Sequence, residues 1–258
     1  MSVEERLLSR IDDRVLTLTL NRAHKRNALD SRMVEALDAA LVGARNDAAV
    51  RVVLLRGAGP DFCAGADLVE MDHITSLGPD RIHADALRMG NLFVHMRQLT
   101  KPVVAAVHGR ALGGGCGLAT ACDVVLARED AELGYPEVHL GFVPALVMTL
   151  LRRKVSEGRA FELATLGERF SAADALAWGI ATRVISTDDF EASVTAYAKE
   201  LARRAPSSIA LSKALLYDLD GLDFEEGVRR AAQVNVAARL THTCREGVRG
   251  FLERKKRA

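Results

Sequence analysis

The chain has 258 residues, of which 49% are hydrophobic and 27% charged, a balance typical of a soluble globular protein and unlike a disordered one. It carries 35 Lys and Arg residues against 34 Asp and Glu residues, so its charge gives no reason to expect nucleic-acid or membrane-surface binding. No apolar run reaches the roughly 20 residues of a membrane span, the N-terminus lacks the apolar core of a signal peptide, and the cysteines lack metal-site spacing, so we expect a cytoplasmic protein with reduced thiols and no metal.

The first part of the chain predicts a strand, a helix and a second strand. Val15–Leu20 alternates apolar and polar residues, as a half-buried strand does. Segment 28–47 then repeats apolar residues at intervals of three and four, and either Asp30 or Ser31 is placed to cap the helix. The β-branched run 50–59 predicts a strand buried on both faces. This order indicates a βαβ unit with a right-handed crossover.

The middle of the chain continues the alternation. A helix is predicted from about Asp80 to Gln98, and segment 101–109 predicts a buried strand. The next helix is expected over Gly113–Ala121, followed by a short strand at 123–127.

From Pro144 onward the pattern is overwhelmingly helical. Helical periods with caps occur in segments 156–167, 171–179, 188–204, 206–219 and 224–254. We therefore predict one α/β core at residues 1–195 followed by a helical region at 196–258.

Four glycines cluster in ALGGGCGLATACD, residues 111–123, where a strand is predicted to lead into a helix. Glycine is a poor helix former, so local stability does not explain them. The segment has neither GxxxxGK[ST] nor GxGxxG, which excludes the two common phosphate loops. Two explanations remain. Either the glycines form a tight packing turn, or they expose the first N–H groups of a helix, where the helix dipole favours negative charge on a ligand oxygen.

A second bare backbone segment follows the strand predicted at 50–59. In DFCAGADL, Gly65 lies between Ala64 and Ala66, and these small residues would let a ligand approach the main chain. Two convergent N–H groups, one from each segment, would form an oxyanion hole. A packing turn explains this second segment equally well when it is taken alone.

Four motifs occur together in the order NRAHKRNALD, FCAGADL, HGRALGGGCGLATACDVVLA and GYPEVHLGFVP. Their order and spacing resemble the crotonase (enoyl-CoA hydratase/isomerase) superfamily from Asn21 to about Val184, and the C-terminal EGVRGFLERKKR is similar to the closing helix of that family. The resemblance implies an α/β crotonase-like fold of stacked ββα units, with C-terminal helices that form a homotrimer or a dimer of trimers. It also implies acyl-CoA thioesters as substrates and no separate cofactor.

The resemblance assigns roles to individual residues. It implies that the backbone N–H groups of Ala66 and Gly114 hold the thioester oxygen as the substrate becomes an enolate, and that Glu137 is the acid/base. The neighbours of Glu137 are apolar, so partial burial would raise its pKa towards the working range of a proton shuttle.

The same resemblance predicts contacts with CoA. These are expected from Arg26, Ala28, Ala64, Asp67 and Leu68. Arg254 or Lys255 could meet a CoA phosphate of a neighbouring subunit, and a solvated basic tail is the alternative.

Gly117 is a departure from the family pattern, because many hydratases of the family carry a second glutamate at this position. Two carboxylates help to add water across a double bond, whereas one base suffices to move a double bond. Gly117 therefore favours single-glutamate isomerase chemistry.

Other functions stay open. A hydratase could use another base from Glu70, Asp72 or His73, on a segment expected to be mobile. The hydroxyacyl-CoA hydrolases also have glycine at position 117, but they add an aspartate where this chain has Ala145. A catalytically silent acyl-CoA-binding protein is a further alternative. His139 would share the face of Glu137 on an extended segment, and a structural role is expected for it.

Overall fold

The computed structural model describes residues 5–255 of the chain. Its β-strands are β1 (Leu7–Asp12), β2 (Val15–Leu20), β3 (Val52–Gly57), β4 (Val103–Val107), β5 (Arg110–Leu112), β6 (Val124–Arg128), β7 (Glu132–Gly134), β8 (Arg169–Ser171) and β9 (Arg183–Ile185). Its α-helices are α1 (Ser31–Asn46), α2 (Leu68–Ser76), α3 (Pro79–Gln98), α4 (Gly114–Ala121), α5 (Ala145–Leu151), α6 (Glu157–Leu166), α7 (Ala172–Trp178), α8 (Phe190–Arg203), α9 (Pro206–Asp218), α10 (Phe224–Leu240) and α11 (His242–Lys255).

The main sheet has the strand order β1-β2-β3-β4-β6-β9. Strand β1 pairs with β2 in antiparallel register, and each later neighbour is parallel. The strands β5, β7 and β8 form a second sheet in that order. Side chains alternate between the two faces of the main sheet, so Val53 and Leu55 join one apolar core while Val52 and Leu54 join another. The first core also contains α1, α3 and α4, and the second contains α8.

The predicted strand–helix–strand unit is confirmed as β2-α1-β3. Helix α1 begins after Asp30, whose Oδ1 accepts a hydrogen bond from the Met33 N–H at 2.8 Å and so caps the helix. The buried strand and helix predicted in the middle of the chain are β4 and α4, and the architecture is mixed α/β as predicted.

The sequence patterns missed the short strands. Strand β1 is an edge strand that is exposed apart from Leu7, and its charged residues obscure any alternation. The strands β5, β7, β8 and β9 have three residues each, too few to show a period. The region after Pro144 is therefore not purely helical, because β9 completes the main sheet.

The division predicted after residue 195 falls inside α8. This helix is continuous from Phe190 to Arg203, and its buried residues Phe190 and Val194 belong to the core that it forms with the main sheet. The helices that extend beyond the sheet begin at Pro206 instead. None of the helices between residues 5 and 255 combines the length and apolar character needed to cross a bilayer.

Candidate active site

Different structural constraints explain the individual glycines at the start of α4. Gly113 adopts φ +52°, a conformation that L side chains rarely take. A β-carbon on Gly115 would lie 2.3 Å from the Cys63 carbonyl oxygen, so only glycine lets α4 approach the segment after β3 this closely. Gly114, by contrast, would meet nothing closer than 3.8 Å. Neither packing nor a positive φ explains Gly114, which is the position predicted to face a ligand.

Two isolated parallel bridges hold the segment after β3: Ala66 pairs with Leu29 just before α1, and Cys63 pairs with Ala111 in β5, the strand that leads into α4. In the first bridge the Leu29 N–H donates to the Gly65 oxygen at 2.8 Å and the Asp67 N–H donates to the Leu29 oxygen at 2.9 Å. The Ala66 N–H therefore points away from Leu29.

The two predicted oxyanion donors lie close together. A β-carbon on Gly114 would lie 3.9 Å from the Ala66 nitrogen, and one on Gly65 would lie 3.6 Å from the Gly114 nitrogen. In the described part of the chain neither N–H group has an acceptor. Two neighbouring free donors, one of them at a helix N-terminus, can stabilise an oxyanion.

Glu137 reaches the same place from a 3-10 helix at Pro136–Leu140. A β-carbon on Gly113 would lie 3.3 Å from Glu137 Oε1, so the carboxylate lies against the residue that precedes Gly114. Its Oε2 is buried and finds no hydrogen-bond partner within residues 5–255. Burial raises the pKa of the Glu137 carboxyl above its usual value, because the charged form is poorly solvated. A carboxyl group in this environment can exchange a proton beside two free N–H donors.

His139 does not share the face of Glu137, because the segment that carries both residues is not extended. The Pro136–Leu140 segment is helical, and the His139 Nε2 lies 3.2 Å from the Gly167 carbonyl oxygen at the end of α6. This contact supports the structural role expected for His139.

The predicted CoA contacts divide into two groups. Arg26, Ala28 and Ala64 lie on the loops before α1 and after β3, where the Ala64 N–H donates to the Arg26 oxygen at 2.9 Å. The Arg26 side chain is 58% exposed, with Nε 3.9 Å from Asp61 Oδ2. Its guanidinium is therefore accessible to a phosphate or a nucleotide.

Asp67 and Leu68 form the second group, at the start of α2. Leu68 is exposed, whereas the Asp67 carboxylate caps the helix through the Val69 N–H and also accepts a hydrogen bond from the buried Arg22 at 2.8 Å. This bond to Arg22 is the main reason why the pKa of Asp67 is lowered. The Asp67 side chain already has strong partners, so a CoA contact there would come from the backbone.

Glu70, Asp72 and His73 lie on helix α2. Glu70 accepts hydrogen bonds from the Ser31 N–H at 2.7 Å and from the Ser31 hydroxyl at 2.6 Å, and these tie α2 to the start of α1. Asp72 and His73 are exposed on the same helix. This position makes Glu70 a structural contact rather than a free base.

Val147 is a residue of the site that sequence reasoning missed. A β-carbon on Gly117 would lie 2.5 Å from Val147 Cγ2 and 3.4 Å from Phe93 Cζ, so these side chains fill the space beside Gly117. Helix α5 carries Val147 and also begins with Ala145, where a hydrolase would place its aspartate. The only signal in the sequence was an apolar period indistinguishable from that of any core helix.

Other features of the described chain do not form a second candidate active site. Arg254 and Lys255 are exposed at the end of α11. A cleft of about 480 Å³ between β1–β3 and α8 contains none of the predicted site residues. In the described chain, no group of three or more His, Cys, Asp or Glu side chains is placed to hold a metal ion.

The comparisons with known proteins point to one family. Residues 10–258 match the family described as enoyl-CoA hydratase/isomerase. A Thermus thermophilus homologue named for enoyl-CoA hydratase activity is 40% identical over 241 residues, which cover 93% of this chain and 95% of that protein. The 2,3-dehydroadipyl-CoA hydratase of Escherichia coli is 33% identical, with 98% and 97% coverage.

A solved structure agrees with the sequence relatives. The crystal structure of an enoyl-CoA hydratase from Mycobacterium smegmatis superposes with a TM-score of 0.92 at 32% identity and covers 97% of both chains. This superposition confirms the predicted α/β crotonase-like fold class. On this evidence the chain belongs to the enoyl-CoA hydratase/isomerase family, whose members act on acyl-CoA thioesters.

Proposed function

We propose that this enzyme moves a carbon–carbon double bond in an enoyl-CoA thioester, with Glu137 as its single acid/base. The observation that carries the proposal is the pairing of an unpartnered, buried Glu137 oxygen with two free N–H groups at Ala66 and Gly114. The space beside Gly117, where a second carboxylate would project, is filled by Val147. One proton carrier and one oxyanion hole are the minimum that an isomerase needs.

The proposed mechanism starts from a 3-enoyl-CoA. The thioester oxygen accepts hydrogen bonds from the Ala66 and Gly114 N–H groups, while the ionised Glu137 removes a proton from C2. The C2–H electron pair forms an enolate conjugated with the C3–C4 double bond. The protonated Glu137 then returns the proton to C4, the carbonyl is restored, and the double bond lies between C2 and C3. Each proton that leaves the substrate passes through one carboxyl group.

The CoA part of the substrate is proposed to bind across the loops of Arg26, Ala28 and Ala64 and the start of α2 at Asp67 and Leu68. The exposed guanidinium of Arg26 supplies positive charge for a phosphate. CoA belongs to the substrate, so the proposed reaction needs no separate cofactor.

The test uses the wild-type enzyme and a 3-enoyl-CoA in deuterated water. A shielded single carboxyl group returns some of the protons it removes, so in part of the 2-enoyl product the hydrogen added to C4 should come from C2 of the substrate and not be deuterium. Mass spectrometry and proton NMR of the product measure this fraction. Recovery of unchanged 3-enoyl-CoA, with no shift of the double bond, would overturn the proposal.

Hydration is the second candidate, because the relatives are named hydratases. In that case Glu137 alone would activate the water and later protonate C2. Incubation of a 2-enoyl-CoA in ¹⁸O-labelled water distinguishes the two reactions, since only hydration places the label at C3. Release of free CoA from a hydroxyacyl-CoA would instead support the hydrolase alternative, and binding without turnover of any of these thioesters would support a silent acyl-CoA-binding protein.

The homotrimer, or dimer of trimers, is likewise a proposal. Helices α10 and α11 expose large apolar side chains, among them Phe224 at 88% exposure. Large exposed apolar surfaces mark protein–protein interfaces, so these side chains support an assembly through α10 and α11. Light scattering of the purified protein should give a mass of three or six chains, and a monomer at micromolar concentration would contradict the proposal.

A further inference from the structure

We infer that Val147 determines reaction specificity in this enzyme, by filling the space that a second carboxylate and its water would need. The inference rests on the proposed function, because it explains why one acid/base acts without a partner. Gly117 has no side chain, and Val147 and Phe93 fill the space where one would project. The surroundings of that space are therefore apolar.

The distances around Gly117 show that Val147 leaves no room for a side chain at position 117. A β-carbon at position 117 would lie 2.5 Å from Val147 Cγ2 and 3.5 Å from Val147 Cβ. Ordinary carbon–carbon contacts lie near 3.5–4.0 Å, so no residue larger than glycine fits without a shift of Val147. Phe93 closes the remaining side, with Cζ 3.4 Å from the same point.

Val147 has little freedom to move away. It is 4% exposed and lies on α5 beside the buried Leu150 and Leu151. A β-branched side chain in a helix strongly prefers one rotamer. The volume that Val147 occupies is therefore fixed by the packing of α5 against α4.

The Gly117–Val147 pair lies near Glu137, and its apolar character affects whether a water can bind there. The Gly117 N–H donates to the Gly113 oxygen at 2.9 Å, so Gly117 lies one helical turn from the residue that contacts the Glu137 carboxylate. A water held opposite Glu137 would need two or more polar partners. Val147 and Phe93 offer only apolar groups there, which favours proton return to carbon over the addition of water.

Melting temperatures of alanine variants test whether Val147 fills the space beside Gly117. Alanine normally stabilises a helix relative to glycine, and Gly43→Ala on α1, where nothing lies within 4 Å, is the control. We expect Gly43→Ala to keep or raise the melting temperature and Gly117→Ala to lower it by about 3 °C or more. In the Gly117→Ala/Val147→Ala double variant this loss should be smaller than the sum of the two single effects. A Gly117→Ala variant as stable as the wild type would overturn the inference.

A reaction experiment tests the consequence. The Gly117→Glu/Val147→Ala double variant should hydrate a 2-enoyl-CoA about tenfold or more faster than the wild type, since a positioned acid/base contributes at least that much. Neither single variant should show this gain. Val194→Ala on α8, a buried valine on the other face of the sheet, controls for the lost methyl groups.

The outcomes separate the inference from the proposed function. If the double variant melts cooperatively but hydrates no faster than the wild type, Val147 is not the determinant. If the double variant gains hydration although the wild type never shifts a double bond, the inference stands and the isomerase proposal fails. If the double variant does not fold, the Gly117→Ala melting series still decides whether Val147 defines the space.

Discussion

Two partly buried carboxylates, Asp123 and Glu137, lie in opposite environments. Asp123 follows α4 and accepts three hydrogen bonds, from the Val103 N–H at 2.7 Å, the Lys213 ammonium at 2.7 Å and the Tyr217 hydroxyl at 2.5 Å. Glu137 lies near the other end of α4 and has a buried oxygen without a partner in the described chain.

The difference shows how partners assign a role to a carboxylate. The ammonium of Lys213 balances the charge of Asp123. The three hydrogen bonds connect the end of α4 to β4 and α9, so Asp123 anchors α9. Glu137 has no such compensation, and burial raises its pKa. A carboxyl group without partners is free to exchange its proton with a substrate.

The largest effect is expected from Glu137→Gln. The amide keeps the shape but cannot accept a proton, so kcat should fall by about 10²–10⁴-fold while acyl-CoA affinity stays nearly intact. Steady-state kinetics and calorimetric titration measure the two quantities. Glu168→Gln, an exposed glutamate before β8, is the matched control and should keep full activity. An active Glu137→Gln variant would place the base elsewhere.

Gly114→Pro should be nearly as severe. Proline removes the N–H group proposed to face the thioester oxygen, and loss of one oxyanion donor costs about 10²–10³-fold in kcat. Position 114 is the first residue of α4, where proline is tolerated, so the fold should survive. Glu157→Pro at the same position of α6 is the control. A folded Gly114→Pro variant with an unchanged rate would disprove the oxyanion assignment.

Asp123→Asn should lower stability and leave the rate per folded molecule unchanged, whereas Glu137→Gln should lower the rate. Removal of one partner leaves the buried Lys213 uncompensated, so the free energy of unfolding should fall by about 3 kcal/mol. The rate per folded molecule should stay near that of the wild type. Urea unfolding at fixed protein concentration measures the stability, with exposed Asp72→Asn as the control. A variant as stable as the wild type would show that the three bonds to Asp123 do not anchor α9.

The smallest effect concerns pH and stability. Because the folded-state pKa of Glu137 is raised above the ordinary 4.5, its contribution to stability is fully present below that pH and is lost as the pH rises through the raised pKa. The Glu137→Gln variant should therefore be slightly more stable than the wild type at pH 7, and this difference should vanish as the pH falls below about 4.5. Melting curves across this range measure it. A difference independent of pH would argue against a buried, uncompensated carboxylate.

The sequence predicted much of the fold and the site because the relevant signals are local. Alternation predicted β2, helical period and the Asp30 cap predicted α1, and the glycines after residue 112 predicted a bare helix start at α4. The apolar neighbours of Glu137 predicted the direction of its pKa shift. Whether Ala66 and Gly114 bind a thioester oxygen stays a prediction that the kinetic variants test.

Only the tertiary structure decided which partners these residues meet. Gly117 and Val147 are 30 positions apart, Asp67 and Arg22 are 45 apart, and their contacts arise from how α5 packs on α4 and how the loop before α1 meets α2. Hydrophobic periodicity predicts that a side chain is buried, but it does not predict which residues pack against that side chain. The contacts of Gly117 and Asp67 therefore became visible only when elements distant in the chain were packed together.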